Sequence, residues 1–238
     1  MYMKPEGSLS KQEMKILALD SSTEACSVAL LKDKGVVEKF EVVGRGHAEH
    51  LLPMINALLR ENDTSLDDID LFAYGSGPGS FTGLRIGAAM MQGLALARGR
   101  KLIAVSSLAA LASRQRGLVL SVIDARMDQV YHGLYHVQKN GLPELVGEIA
   151  VTSPDEILLP ANENIILSGT GWDRYKDKFM MMQTTDREIT GVDNEYPHAS
   201  DIARIALIES GQGRESEPEH ALPHYVRDKV AKTMAESK

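Results

Sequence analysis

After a polar stretch over residues 1–13 with neither helical nor strand period, the chain begins a series of short apolar runs separated by polar turns. Ile16-Leu-Ala-Leu-Asp20 precedes polar Ser21-Ser-Thr-Glu24 and then Ala25-Cys-Ser-Val-Ala-Leu-Leu31, the pattern of two strands joined by a tight turn. Asp33-Lys-Gly35 turns the chain into a third run over 36–43, which predicts an antiparallel meander. Residues 47–62 then carry Leu51, Leu52, Met54, Ile55, Leu58 and Leu59, more than the stripe of roughly 100° that one packing face needs. The surplus predicts a second packing partner for this helix.

Asp67-Asp-Ile-Asp-Leu-Phe-Ala-Tyr74 reads as a turn and a fourth strand, followed by Gly75-Ser-Gly-Pro-Gly-Ser-Phe-Thr-Gly-Leu-Arg-Ile-Gly87 and a helix over 80–98. A fifth strand over 101–105 leads to Ser106 or Ser107, either of which can cap a third helix ending at Gln115. This order fills one α/β lobe, 14–117, and 118–238 reads as a smaller second lobe. That lobe opens like the first: an apolar strand over 118–123, polar Asp124-Ala-Arg-Met-Asp-Gln129 and a returning strand over 130–137, which points to an internally duplicated architecture. A short strand over 149–152, a helix capped by Thr152 or Ser153 and ending at Leu158, a strand over 165–169 and a helix over 199–210 complete the expectation. Residues 1–13 read as a disordered extension.

Composition narrows the partners. A net charge of −7 and a pI near 5.5 do not suit a surface that neutralises many phosphates by itself, so any RNA contact is expected to rely on a partner's positive charge. The one cysteine, Cys26, excludes an internal disulfide and a multi-cysteine zinc site and points to the reducing cytoplasm. No apolar run is long enough to span a membrane.

Candidate chemistry centres on two turns and a helix. Asp20-Ser-Ser-Thr23 stands where a phosphate-holding hairpin would lie, with Ser22 in place of a helpful glycine, so a side-chain-capped turn and an anion site are both open readings. Gly77-Pro-Gly-Ser-Phe-Thr-Gly83 lacks the Lys-Ser/Thr that completes a Walker A loop. Asp20, Ser22, Thr23, Gly79, Ser80 and Arg85 are the possible anion or nucleotide contacts, and Arg126 is a second guanidinium beside a turn. Gly83 and Gly87, with Met90, Met91 and Leu94, instead fit a close helix crossing or a subunit interface, to which Leu51, Met54, Ile55 and Leu58 of the preceding helix would contribute. His47-Ala-Glu-His50 is not His-Glu-x-x-His, and no Gly-x-Ser-x-Gly elbow occurs, so neither a zinc peptidase nor a serine hydrolase is indicated.

Taken together, 16–30, His47-Ala-Glu-His-Leu-Leu-Pro-Met54, the glycine-rich stretch 74–87, Val105-Ser-Ser-Leu-Ala-Ala110, Asp124-Ala-Arg-Met127 and Gly169-Thr-Gly-Trp172 resemble the bacterial TsaB (YeaZ) family. The resemblance runs from Met14 to about Val230. It implies an actin-like ATPase (ASKHA, ribonuclease H-like) α/β fold of two lobes with mixed sheets flanked by helices. It also implies a non-catalytic subunit in the biosynthesis of threonylcarbamoyladenosine at position 37 of tRNAs reading codons that begin with A. The implied partners are a TsaD-type catalytic subunit, a TsaE-type ATPase, a second copy of the chain when alone, and tRNA through the complex. No cofactor of its own is implied, ATP and metal belonging to the partners. An autonomous actin-like ATPase or phosphotransferase and an M22-type metallopeptidase are the alternatives.

Overall fold

A computed structural model describes residues 14–33, 35–138 and 142–226; the extension expected over 1–13 lies outside them. Among the described residues, ten strands form two five-stranded mixed sheets. The first holds β1 (Ile16–Asp20), β2 (Ala25–Lys32), β3 (Gly35–Val42), β4 (Leu71–Gly77) and β5 (Leu102–Ser106) in the order β3-β2-β1-β4-β5. The second holds β6 (Gly117–Asp124), β7 (Val130–Val137), β8 (Pro143–Thr152), β9 (Ile165–Ser168) and β10 (Ile189–Val192) in the order β8-β7-β6-β9-β10. In each, the first three strands are antiparallel and the last two add in parallel. The duplication expected from the two opening hairpins is therefore a repeat of topology, and it is the arrangement of the actin-like fold.

Five helices cover the sheets: α1 (His47–Glu61), α2 (Phe81–Arg98), α3 (Ser107–Ser113), α4 (Thr170–Met180) and α5 (Ala199–Ser210). α1 and α2 lie on one face of the first sheet, over Leu17, Leu19, Val28, Leu30, Phe72 and Tyr74. α5 lies on the other face, over Ile16, Ala18, Ala29, Leu71, Ala73 and Ile103, although it follows the second sheet in sequence. Burial on both faces explains why Ile16-Leu-Ala-Leu19 is a continuous apolar run and not an alternating one. In the second sheet, α4 packs on Leu118, Leu120 and Val122 while α3 packs on Val119 and Ile123.

Four elements differ from expectation. The helix expected to end at Leu158 is a single 3₁₀ turn, Pro154–Glu156, followed by extended backbone at Ile157. Leu159 precedes Pro160, which disfavours helical backbone before it, and what remains is too short to propagate a helix. The short strand expected over 149–152 is the end of the ten-residue β8, an edge strand whose exposed positions and positive-φ Gly147 obscure any alternation. α4 and β10 were not expected. α4 begins within Gly169-Thr-Gly171, which reads as a turn, and its buried stripe of Gly171, Trp172, Tyr175 and Phe179 is interrupted by charge.

Glu38 on β3 fastens α5 to the first sheet. The first turn of α5 has no side-chain cap from His198, and Glu38 supplies one from across the sheet. Its carboxylate accepts from Ser200 N at 3.0 Å, Ser200 Oγ at 3.1 Å, Ser27 Oγ at 2.7 Å and His198 Nδ1 at 2.9 Å. Burial alone would push this carboxyl up, but the hydrogen bonds from His198, Ser27 and Ser200 outweigh it and hold the group at about 2, against an ordinary 4.5. A carboxyl depressed by folding stabilises the fold fully above its unfolded value and loses that contribution as pH falls through its folded value. Glu38→Gln is therefore expected to lower Tm at neutral pH, by roughly 2 kcal/mol of stability, and to flatten the loss of Tm that the parent chain shows from pH 4.5 down to about 2. Parallel Tm profiles for the two chains in scanning calorimetry would contradict this role.

Candidate functional site

Two regions gather the candidate residues: the cleft between the sheets, and the outward face of α1 and α2. The cleft is built where the turn after β1 meets the loop between β4 and α2. Asp20 is 1% exposed, and its Oδ1 accepts from Ser22 N at 2.8 Å and Ser22 Oγ at 2.7 Å, while Oδ2 accepts from Ser107 Oγ at 2.8 Å. Burial raises the Asp20 pKa, with the bonds from Ser22 and Ser107 opposing it. Ser80 N donates to the Ser22 carbonyl at 2.7 Å, and Ser80 Oγ caps α2 by accepting from Gly83 N at 3.4 Å. The donors of Ser22 are thus used within their own turn, and Ser80 N joins the two turns.

Glycine makes that meeting possible. A Cβ on Gly79 would lie 2.2 Å from the Ser22 carbonyl oxygen, and one on Gly83 would lie 2.0 Å from that of Ser21. One on Gly87 would lie 2.5 Å from Ser21 Oγ, which itself donates to the Gly83 carbonyl at 2.9 Å. Such distances are far inside van der Waals contact, so the backbone of the first turn rests directly on the first turns of α2.

Between the sheets remains a cavity of about 400 Å³, whose lining includes Thr23, Glu24, Ser80, Asp124, Arg126 and Tyr225. Arg126 spans it, with Nη2 3.0 Å from Glu24 Oε1 on the first sheet's turn and Nη1 3.0 Å from Asp124 Oδ2 on the second's. Thr23 turns its carbonyl to His47 Nε2 at 2.7 Å, which places His47 in the wall of the fold. Arg85 stands at the rim. Its guanidinium lies 3.8 Å from the centre of the Phe81 ring, and its Nε donates to Tyr225 Oη at 2.8 Å.

On α1 and α2, Leu51, Ile55, Leu58, Gly83, Gly87 and Met91 are buried by the chain's own core, while Met54, Met90 and Leu94 are partly exposed at its edge. The same helices turn other residues outward: Leu52, 44% exposed, and on α2 Ala89, Gly93, Leu96 at 57%, and Ala97. Among the described residues nothing lies within 4 Å of where a Cβ on Gly93 would sit, so their packing does not require a glycine there. The signal for this outward set was available in sequence, since Gly93 lies about 120° around a helix from Gly87, but the glycine motif drew attention to the inward set.

These two kinds of glycine predict opposite responses. Gly83→Ala forces backbone apart and is expected to lower stability by about 2–3 kcal/mol, whereas Gly93→Ala is expected to raise it by about 0.5–1 kcal/mol by improving the helix. Chemical denaturation of both variants tests the pair; a loss at Gly93→Ala would show a contact that the fold does not provide. Asp20→Asn keeps an acceptor toward Ser22 and is expected to hold stability within about 1 kcal/mol, while Asp20→Ala orphans buried donors and costs about 2–3 kcal/mol.

Comparison with known proteins agrees with this geometry. The family model described as TsaD: tRNA N6-adenosine threonylcarbamoyltransferase matches residues 28–233. The tRNA threonylcarbamoyladenosine biosynthesis protein TsaB of Escherichia coli (strain K12) is 40% identical over 228 residues, covering 92% of this chain and 96% of its own. That of Haemophilus influenzae is 35% identical, covering 92% and 96%. The solved structure of YeaZ from Pseudomonas aeruginosa superposes with a TM-score of 0.81 at 41% identity, covering 89% of this chain and 99% of its own. With its duplicated actin-like sheets and these matches over nearly its whole length, the chain belongs to the TsaB (YeaZ) family of tRNA threonylcarbamoyladenosine biosynthesis proteins.

Proposed function

We propose that this chain is the non-catalytic partner subunit of the assembly that places threonylcarbamoyl on adenosine 37 of tRNA, and that it docks on a TsaD-type catalytic subunit through the outward face of α1 and α2. The observation that carries the reading is the seam Ala89, Gly93, Ala97 on α2, bordered by the exposed Leu52 and Leu96. A glycine inside an 18-residue helix weakens it by about 1 kcal/mol relative to alanine, and nothing among the described residues uses the space Gly93 leaves open. A second helix approaching closely across that seam does use it. The engagement of Asp20, Ser22 and Ser80 with one another supports the same reading, because these groups would otherwise be the ones to hold a phosphate.

Homodimers and the catalytic heterodimer would then compete for one face, with a TsaE-type ATPase and tRNA joining through the complex, ATP and metal on the partner subunits, and all of it in the cytoplasm. Among the described residues no helix is long and apolar enough to cross a membrane.

Gly93→Arg is expected to abolish co-purification with the catalytic subunit of the same cell, a loss of at least about 100-fold in affinity, while circular dichroism and Tm of the isolated chain stay near those of the parent. Undiminished complex formation by a folded Gly93→Arg chain would overturn the proposal.

A further inference from the structure

Arg85 is oriented, but among the described residues it is not neutralised. Its Nε is held by Tyr225 Oη at 2.8 Å, and its guanidinium lies 3.8 Å from the centre of the Phe81 ring and 5.8 Å from that of Tyr225. Phe81 and Tyr225 themselves pack at 5.5 Å between centroids. Among the described residues, no carboxylate pairs with Arg85, and Nη1 and Nη2 carry no hydrogen bond. Arg98, Arg126, Arg174, Arg204 and Arg214 are matched by acidic side chains; among the described residues the exposed Arg45, Arg60, Arg100 and Arg116 share with Arg85 the lack of such an ion pair, but Arg85 alone of these five is stacked on aromatic rings. A stacked guanidinium with its two terminal nitrogens unengaged is a pre-organised fork whose geometry fits a planar oxyanion.

The surroundings select among oxyanions. The fork is flanked by two exposed aromatic side chains, Phe81 at 44% and Tyr225 at 42%. Aromatic residues and arginine in an apolar rim form the composition of a protein–protein hot spot. The neighbouring cleft carries Glu24 and Asp124, and the whole chain has a charge of −7, which opposes a polyanion. Arg85 also lies about one and about three turns before Ala89 and Leu96 on the same exposed side of α2, so the fork continues the seam.

We propose that the Arg85 fork, held by Phe81 and Tyr225, binds the carboxylate of an aspartate or glutamate on the catalytic partner subunit and anchors one end of the docking face. This rests on the docking reading above and names the chemistry at one end of it. Arg85→Met keeps an apolar side chain on Phe81 and removes the fork; Arg85→Lys keeps the charge without the fork.

Calorimetric titration of the full chain with the purified catalytic subunit, at low and high salt, tests the assignment. The expected result is an affinity loss of roughly 30-fold or more for Arg85→Met, with a weaker dependence on salt, a smaller loss for Arg85→Lys, and an unchanged Tm for the free chain. Parent-like affinity in Arg85→Met, where Gly93→Arg abolishes binding, overturns the fork and leaves the docking face standing. Parent-like affinity in both variants removes the docking face itself. A normal partner affinity with weakened tRNA retention by the assembled complex assigns the fork to an RNA phosphate and also overturns the proposal.

Discussion

The structure depends on one close approach, in which the turn after β1 rests on the start of α2 where three glycines leave no helix side chain in the way. Gly79, Gly83 and Gly87 leave room for Ser21 and Ser22 to touch the helix backbone, and Ser80 N and Ser21 Oγ close the contact with hydrogen bonds. Asp20 then ties the same turn to α3 through Ser107. This contact sets where α2 leaves the sheet and which way it is rotated. The rotation that turns Gly83, Gly87 and Met91 inward necessarily turns Ala89, Gly93 and Leu96 outward. Packing inside the chain and the surface proposed to meet a partner are two sides of one helix.

The duplicated sheet topology explains why the cleft persists although its turns are bound to each other. Each sheet brings the end of its first strand and the following turn toward the other, Asp20 to Glu24 from one side and Asp124 to Arg126 from the other. Arg126 joins the two turns by ion pairs to Glu24 and Asp124. α5 returns to the first sheet, where Glu38 caps it, so the chain crosses between the sheets twice and the second sheet hangs from two connections. The cavity between them is a consequence of the fold; the seam on α2, with a glycine that no described residue packs against, is not.

Much of this was legible in the sequence. The opening meander, α1, α2 and α5 fall where hydrophobic period and punctuation place them, because each buries a wide apolar surface against a sheet. The second sheet was less legible. β8 lies at an edge with one side exposed, and α4 hides its stripe behind Gly169 and Gly171, so neither shows a clean period. At the candidate site, spacing identified α2 as the helix of interest, but a glycine in sequence does not say which neighbour needs the space. Gly87 and Gly93 look alike as letters; only the position of Ser21 separates them. The Arg85 fork was legible only as a charged residue beside a turn, since Tyr225, which holds it, is 140 residues away.

The central claim is that the outward face of α1 and α2 is the surface by which this chain works. Carbene footprinting of the chain alone and bound to its catalytic subunit tests it most directly, because labelling reads side-chain exposure at each position. The account predicts that Leu52, Phe81 and Leu96 lose labelling on complex formation while the exposed Leu158 and Met181 of the second sheet's surroundings keep theirs. Protection at Leu158 and Met181 with Leu52 and Leu96 still fully labelled would contradict it.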